Sequence, residues 1–211
     1  QNITESATLG MAKLARELKA QGKDIISLSI GEPDFDTPKN ICDAAAKAAY
    51  DGYTHYPPVS GQPEFKEAII KKLKAENDLS YTANEIIVST GAKHSIINAV
   101  MSVINEGDEV LLPAPYWVSY PTMVEYAGGQ VKAVPTTLAK GYKPSAEDIE
   151  KQITSKTKLL IFSNPTNPSG SLWSKEELES IAIMLNKYPE ILIISDEIYE
   201  KINYVGKHTS F

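Results

Sequence analysis

Ile191-Leu192-Ile193-Ile194 runs without a polar break into Ser195-Asp196-Glu197-Ile198-Tyr199. Four large aliphatic side chains in a row cannot alternate between core and water. A strand made of them must be covered on both faces, which favours a parallel sheet flanked by helices over a half-wet antiparallel one. The run ends on a carboxylate, and in open α/β sheets ligands bind outside the carboxyl ends of the strands. A second apolar run, ending at Phe162, closes in the same way on Ser163-Asn164-Pro165-Thr166-Asn167-Pro168-Ser169-Gly170.

The rest of the chain carries the helices that such a sheet needs. Leu9, Ala12, Leu14, Ala15 and Leu18 form a helical stripe from Thr8 to Gln21, stopped by Gly22. Asp24–Ser29 reads as a short strand and Gly31–Asp36 as a loop. Thr37-Pro38 then opens a helix running to about Tyr50, with Thr as N-cap and Pro at the first helical position. The turn-rich segment Gly52–Gly61 precedes an amphipathic helix, Glu64–Asn77. Beyond it strands and helices alternate. Strands are expected at 85–89, 109–112, 130–134, 158–162 and 191–195, and helices at 93–105, 119–126, 145–153 and 174–187. Ser145 with Asp148, and Ser174 with Glu177, mark two helix starts as capping boxes. The pattern predicts an α/β fold with a mostly parallel sheet between two helical layers.

Composition excludes several functions. With 21 basic and 27 acidic residues the net charge is −6, which argues against binding nucleic acid through its phosphates. A single cysteine, Cys42, permits no internal disulfide and fits a reducing compartment. His55, His94 and His208 are scattered without metal-ligand spacing, so no zinc site is expected. No apolar run approaches the ~20 residues that span a bilayer. The start at Gln1 without a Met, and the lack of a basic-then-apolar leader, predict an incomplete N-terminus and no signal peptide.

Four places carry possible chemistry, each with a plainer alternative. Ser89-Thr90-Gly91-Ala92-Lys93 joins a strand to a helix, where free amides and a small residue suit an anion; steric need alone also puts Gly at such junctions. Asn167 either serves an ordinary Pro-rich turn or donates its amide to a ligand oxygen. Asp196 is a loop carboxylate or the partner of a protonated ring nitrogen, which is how a pyridinium cofactor is kept electron-poor. Tyr199 beside it either packs in the core or presents its hydroxyl. Trp117, in Pro115-Tyr116-Trp117, anchors its loop or stacks on a flat ligand. An anion cup, an amide donor and an acid at three strand ends make one joint set.

These motifs, with Gly31-Glu32-Pro33-Asp34-Phe35 and Tyr56–Gly61, resemble in content and order the fold-type-I pyridoxal-phosphate enzymes of aminotransferase class I/II, in the aspartate aminotransferase branch. The resemblance implies the three-layer fold of those transferases. Residues 1–36 would be an N-terminal arm with part of a small domain, and 37–211 part of a large cofactor-binding domain. It implies pyridoxal 5′-phosphate, an amino acid and a 2-oxo acid as partners, and a cytoplasmic enzyme. Gly31 would bind the substrate carboxylate, with Trp117 and Asn167 also facing substrate. Tyr56 would reach the cofactor phosphate of the neighbouring subunit in a homodimer. Gly91, Ala92 and Lys93 would cup the phosphate, and Trp117 would cover the ring. Asn167 and Tyr199 would hold its phenolic oxygen and Asp196 its nitrogen.

The family's cofactor-linked lysine and carboxylate-gripping arginine follow the aspartate by tens of residues or more. Lys201, Lys207 and Arg16 do not match their contexts, so the chain is expected to be an inactive fragment with exposed sheet edges. Aspartate or glutamate is the expected donor, with prephenate a possible acceptor; Ser6 and Thr8 lie where relatives place residues near an acidic side chain. The alternatives are a C–S β-lyase on the same fold and the aminotransferase-like sensor domain of a transcriptional regulator.

Overall fold

The computed structural model describes residues 7–28, 31 and 35–211. These fall into two compact units, Gln1–Val59 and Ser60–Phe211, so the boundary expected at residue 36 lies inside the first unit.

The first unit holds α1 (Ala7–Ala20) and α2 (Lys39–Tyr50). Pro38 is itself the N-cap of α2, and no side chain caps it; Thr37 was the expected N-cap. Proline's fixed φ suits the entry to a helix, and its missing N–H is no loss there. The charge pairs Lys39–Asp43 and Lys47–Asp51 lie one turn apart along the exposed face of α2 and beyond its end. Residues 24–28 form no strand among the described residues, and Ser29 lies outside them, as do Ser6 and Glu32-Pro33-Asp34.

The second unit is built on β1 (Glu109–Pro113), β2 (Gln130–Val134), β3 (Thr157–Ser163) and β4 (Leu192–Asp196). They pair in the order β2-β1-β3-β4, with every pairing parallel. Five helices of the unit are α3 (Pro63–Asn77), α4 (Ala92–Val103), α5 (Ser119–Tyr126), α6 (Ala146–Glu150) and α7 (Lys175–Leu185). Alternate residues of the central strands supply two separate cores. Leu111, Leu160 and Phe162 pack with Ile149 of α6 and Leu178, Ile181 and Met184 of α7. Val110, Leu112, Leu159 and Ile161 pack with Ile96 and Val100 of α4 and Tyr120, Met123 and Val124 of α5. Apolar side chains on both faces of a strand require a helical layer on each, and the result is α/β/α.

Both expected capping boxes form. Ser145 Oγ accepts from Asp148 N at 3.2 Å while Asp148 accepts from Ser145 N at 3.1 Å. Ser174 and Glu177 repeat the exchange at 3.2 and 2.7 Å. A third box, Thr82 with Glu85, opens one turn of 3-10 helix that the sequence reading missed. Helix α6 stops short of Ile153 because its last turn tightens, with Gln152 N donating to Ile149 O and Ile153 N to Glu150 O.

The strand expected at 85–89 is a correction. Residues 86–89 belong to no strand, and Val88 N donates to Ser60 O at 3.0 Å instead. A β-prone sequence becomes a strand only where a neighbour offers a ladder. Among the described residues β4 has a ladder neighbour on one side only.

The sheet's centre should be the least forgiving place for a cavity. Leu160, fully buried in β3, is expected to cost about 2–5 kcal/mol when changed to Ala. Urea unfolding followed by circular dichroism should show that loss; an unchanged midpoint would contradict this core assignment.

Candidate functional site

The chain leaves β1 for β2 on one side and reaches β3 on the other, so the strand order reverses between β1 and β3. In doubly wound sheets that reversal opens a crevice at the carboxyl ends. Tyr116 and Pro115 beyond β1, and Ser163 and Thr166 at the end of β3, line a narrow cleft there, with Tyr142 and Trp173.

A larger cavity of about 340 Å³ lies between α4 and the end of β4. Ile96, Ala99 and Ile194 give it apolar walls, while Ala92, Ser195, Asp196 and Glu197 give it a polar end. Gly91, at φ +83°, is the N-cap of α4. That left-handed turn is open to glycine at little cost. It aims the start of the helix at the cavity and leaves the amides of Ala92 and Lys93 outside the helix's own ladder. His94 Nδ1 accepts from Thr90 N at 3.3 Å and holds the turn from behind.

Asp196 has neutral hydrogen-bond partners. Tyr120 donates its hydroxyl to Oδ2 at 2.7 Å, and Ile198 N donates to Oδ1 at 3.3 Å. No ion pair involves Asp196 among the described residues, whereas the carboxylates that follow it are matched. Glu197 meets His208 Nε2 at 3.0 Å, and Glu200 meets Lys72 Nζ at 2.5 Å. Of the two carboxylates on the cavity wall, Asp196 is the one without a basic partner among the described residues. Tyr120 itself is 1% exposed. Burial, and then the negative charge of Asp196, push its hydroxyl far above the ordinary tyrosine range, so it remains a donor.

The two asparagines after β3 divide the work. Asn164 is buried and structural: its N–H donates to Asp196 O at 3.0 Å, its Oδ1 accepts from Trp173 N at 3.0 Å, and its Nδ2 donates to Thr209 O. Asn167 Nδ2 instead donates to the Tyr199 hydroxyl at 3.2 Å, which brings these two predicted residues together. Trp117 presents its ring to the Lys93 ammonium, 4.8 Å from the centroid, and meets Tyr120 edge-on at 5.5 Å. Lys93, Trp117, Asn167 and Tyr199 do not line the cavity wall, but contacts join them to residues around it. Gly31 and Tyr56 belong to the first unit, where Tyr56 is fully exposed.

Two members of this arrangement were not singled out from the sequence. Tyr120 could have been suspected from its position three residues after Trp117 at a helix start. Ser163, at the end of β3, carries no distinguishing signal. His208, scattered from the other histidines in sequence, lies with Glu197 and Glu200 so that one ligand atom from each falls within 4.8 Å of the others. Folding brings together what linear spacing cannot show. The contact with His208 and the ion pair with Lys72 already engage both carboxylates.

A parallel α/β/α sheet with an acid and a helix N-terminus on one cavity at the strand ends has the architecture of α/β proteins that bind ligands outside the carboxyl ends of their strands. The chain belongs to the aminotransferase class I and II family, which matches residues 23–209. It is 50% identical over 207 residues to an aspartate aminotransferase of Bacillus sp. (strain YM-2), covering 98% of this chain and 52% of that protein. It is also 50% identical to a probable aspartate/prephenate aminotransferase of Rickettsia felis, covering 96% of this chain and 50% of that one. The solved aspartate aminotransferase from Thermus thermophilus with maleate superposes with a TM-score of 0.95 at 42% identity, over 99% of this chain and 54% of that one. The chain thus spans about half the length of the curated relatives it matches. No helix among the described residues is long and apolar enough to cross a membrane.

Glu197 gives the cavity's rim a pH signature. Burial pushes its carboxyl up, but hydrogen bonds from His208, Phe211 N, Ser195 and Ser210 outweigh that and hold it below the ordinary 4.5. A depressed carboxyl contributes stability that is complete above its unfolded value and is lost as pH falls through its folded one. Wild type is therefore expected to exceed Glu197→Gln in urea midpoint at pH 7, with the gap closing from about pH 5 downward. A constant gap from pH 7 to pH 3 would contradict the assignment.

Proposed function

We propose that the protein is a pyridoxal-5′-phosphate-dependent aminotransferase of the aspartate or aspartate/prephenate type. It exchanges an amino group between that amino acid and a 2-oxo acid such as 2-oxoglutarate, and it acts in the cytoplasm. The observation that carries this reading is Asp196, without a cationic partner among the described residues, sharing one cavity with the start of α4. The names of relatives at 50% identity support the substrate class.

The donor set suits a flat ring bearing a nitrogen, a phenolic oxygen and a phosphate. When bound, such a cofactor supplies an electron-accepting ring that stabilises the charge left when an amino acid loses its α-proton. Asp196 accepts the ring N–H and keeps the ring cationic. The amides of Ala92 and Lys93, beyond the turn at Gly91, receive the phosphate, where a helix N-terminus favours an anion. Asn167 and Tyr199 turn an amide and a hydroxyl toward the phenolic oxygen. Trp117 covers the ring and, with Asn167, faces the substrate. The full exposure of Tyr56 suits a residue that reaches the phosphate of a neighbouring subunit in a homodimer.

L-Aspartate added to the cofactor-loaded full-length protein is expected to convert the cofactor's aldehyde-level absorption band to that of its amine form, with oxaloacetate released in equal amount. Asp196→Ala should weaken cofactor binding at least about 30-fold, the usual penalty for stripping a buried charge of its partner. A full-length protein that binds no pyridoxal phosphate would remove this reading.

A further inference from the structure

A directional hydrogen-bond chain runs behind the cavity. Asn167 N donates to Ser163 Oγ at 3.2 Å. The Ser163 side chain lies near enough to Tyr120 to oppose the rise in its hydroxyl's pKa as a donor would, and Tyr120 donates to Asp196 Oδ2 at 2.7 Å. Each hydroxyl can accept from the group before it and donate to the group after it, so each bond polarises the next. The chain starts in the loop after β3, passes through the strand end and α5, and finishes on the carboxylate after β4.

We propose that Tyr120 is a positioning residue: with Ser163 behind it, its hydroxyl locks the rotation of the Asp196 carboxylate so that the other oxygen, Oδ1, is turned to the ring nitrogen of the bound cofactor. The inference rests on the pyridoxal-phosphate reading above. The geometry favours positioning over simple filling of space. The Tyr120 ring is held by the apolar cluster of α4, α5 and β1, and edge-on by Trp117, so its hydroxyl has little freedom. Oδ1 has only the long contact from Ile198 N at 3.3 Å and keeps acceptor capacity for a ligand. The buried hydroxyl cannot ionise near neutral pH, so the lock persists where the enzyme works. Its source in Asn167 also ties the carboxylate's orientation to the loop proposed to hold the phenolic oxygen.

The test compares two ligands that need no covalent link: pyridoxamine 5′-phosphate and its 1-deaza analogue, in which C–H replaces the ring nitrogen. The ratio of their affinities isolates what Asp196 gives to that nitrogen. Wild type is expected to favour the natural ring, and Tyr120→Phe, which keeps the aromatic packing, to shrink that preference about tenfold while binding the analogue normally. Ser163→Ala should shrink it in the same direction by a smaller factor, about threefold. The sign discriminates. If Tyr120 merely drained charge from Asp196, its removal would make the carboxylate a stronger acceptor, and the preference would grow. An unchanged or larger ratio in both variants overturns the inference and leaves the cofactor reading standing, as does equal loss of both ligands in Tyr120→Phe with no change in Ser163→Ala. Failure of wild type to bind pyridoxamine phosphate, or to prefer it to the analogue, overturns both.

Discussion

The second unit depends on one strand being apolar on both sides. Within β3, Leu159, Leu160, Ile161 and Phe162 are buried alternately against α4 with α5 and against α6 with α7. Nothing polar can be accommodated along that stretch, because a buried group without a partner costs more than it returns. Every side chain with chemistry to offer is therefore displaced to where the strand stops. Ser163 and Asn164 are the first polar residues reached, and both are buried and bonded. The confinement of function to the strand ends is the outcome of core burial before it is anything else.

That confinement sets the precision of the site. Parallel pairing places Ser163 of β3 beside Asp196 of β4. Asn164 N then clasps Asp196 O, so the two strand ends cannot separate without breaking a backbone bond. Side chains launched from such a frame inherit its rigidity, while the loops carrying Trp117 and Tyr199 complete the set from either side. A loop-only site would have to order each of these groups separately, at about 1–2 kcal/mol of backbone entropy per residue.

Much of this was legible in the sequence, and the failures share a cause. Helices α3, α5 and α7, with strands β1 to β4, follow from local periodicity and turn chemistry that each segment carries itself. The two boxes at Ser145 and Ser174 were readable for the same reason. The segment 86–89 was misread because strand formation depends on a neighbour as well as on propensity. Asp196 and Asn167 stood out because polar residues after apolar runs are visible along the chain. Tyr120 did not, because its defining contact joins residues 76 apart. His208 was dismissed on spacing and then met Glu197 after a turn of chain. Family resemblance supplied the roles that spacing could not.

The electrostatics of the last strand end carry one more consequence. Asp196, Glu197 and Glu200 sit within five residues of one another, and folding treats them differently. Glu197 and Glu200 have basic partners in His208 and Lys72, both contributed by other parts of the chain. Asp196 has a tyrosine hydroxyl and a backbone amide, which support a carboxylate without cancelling its charge. A lysine in place of Tyr120 would stabilise the same anion more strongly and compete with any cation arriving from the cavity. Neutral donors fix the group and leave its field intact, and in a cavity with apolar walls that field falls off more slowly than it would in water. An acid intended only to hold the fold together would gain from the stronger partner. One intended to hold a protonated ring loses by it, and the choice of tyrosine at position 120 is consistent with the second requirement.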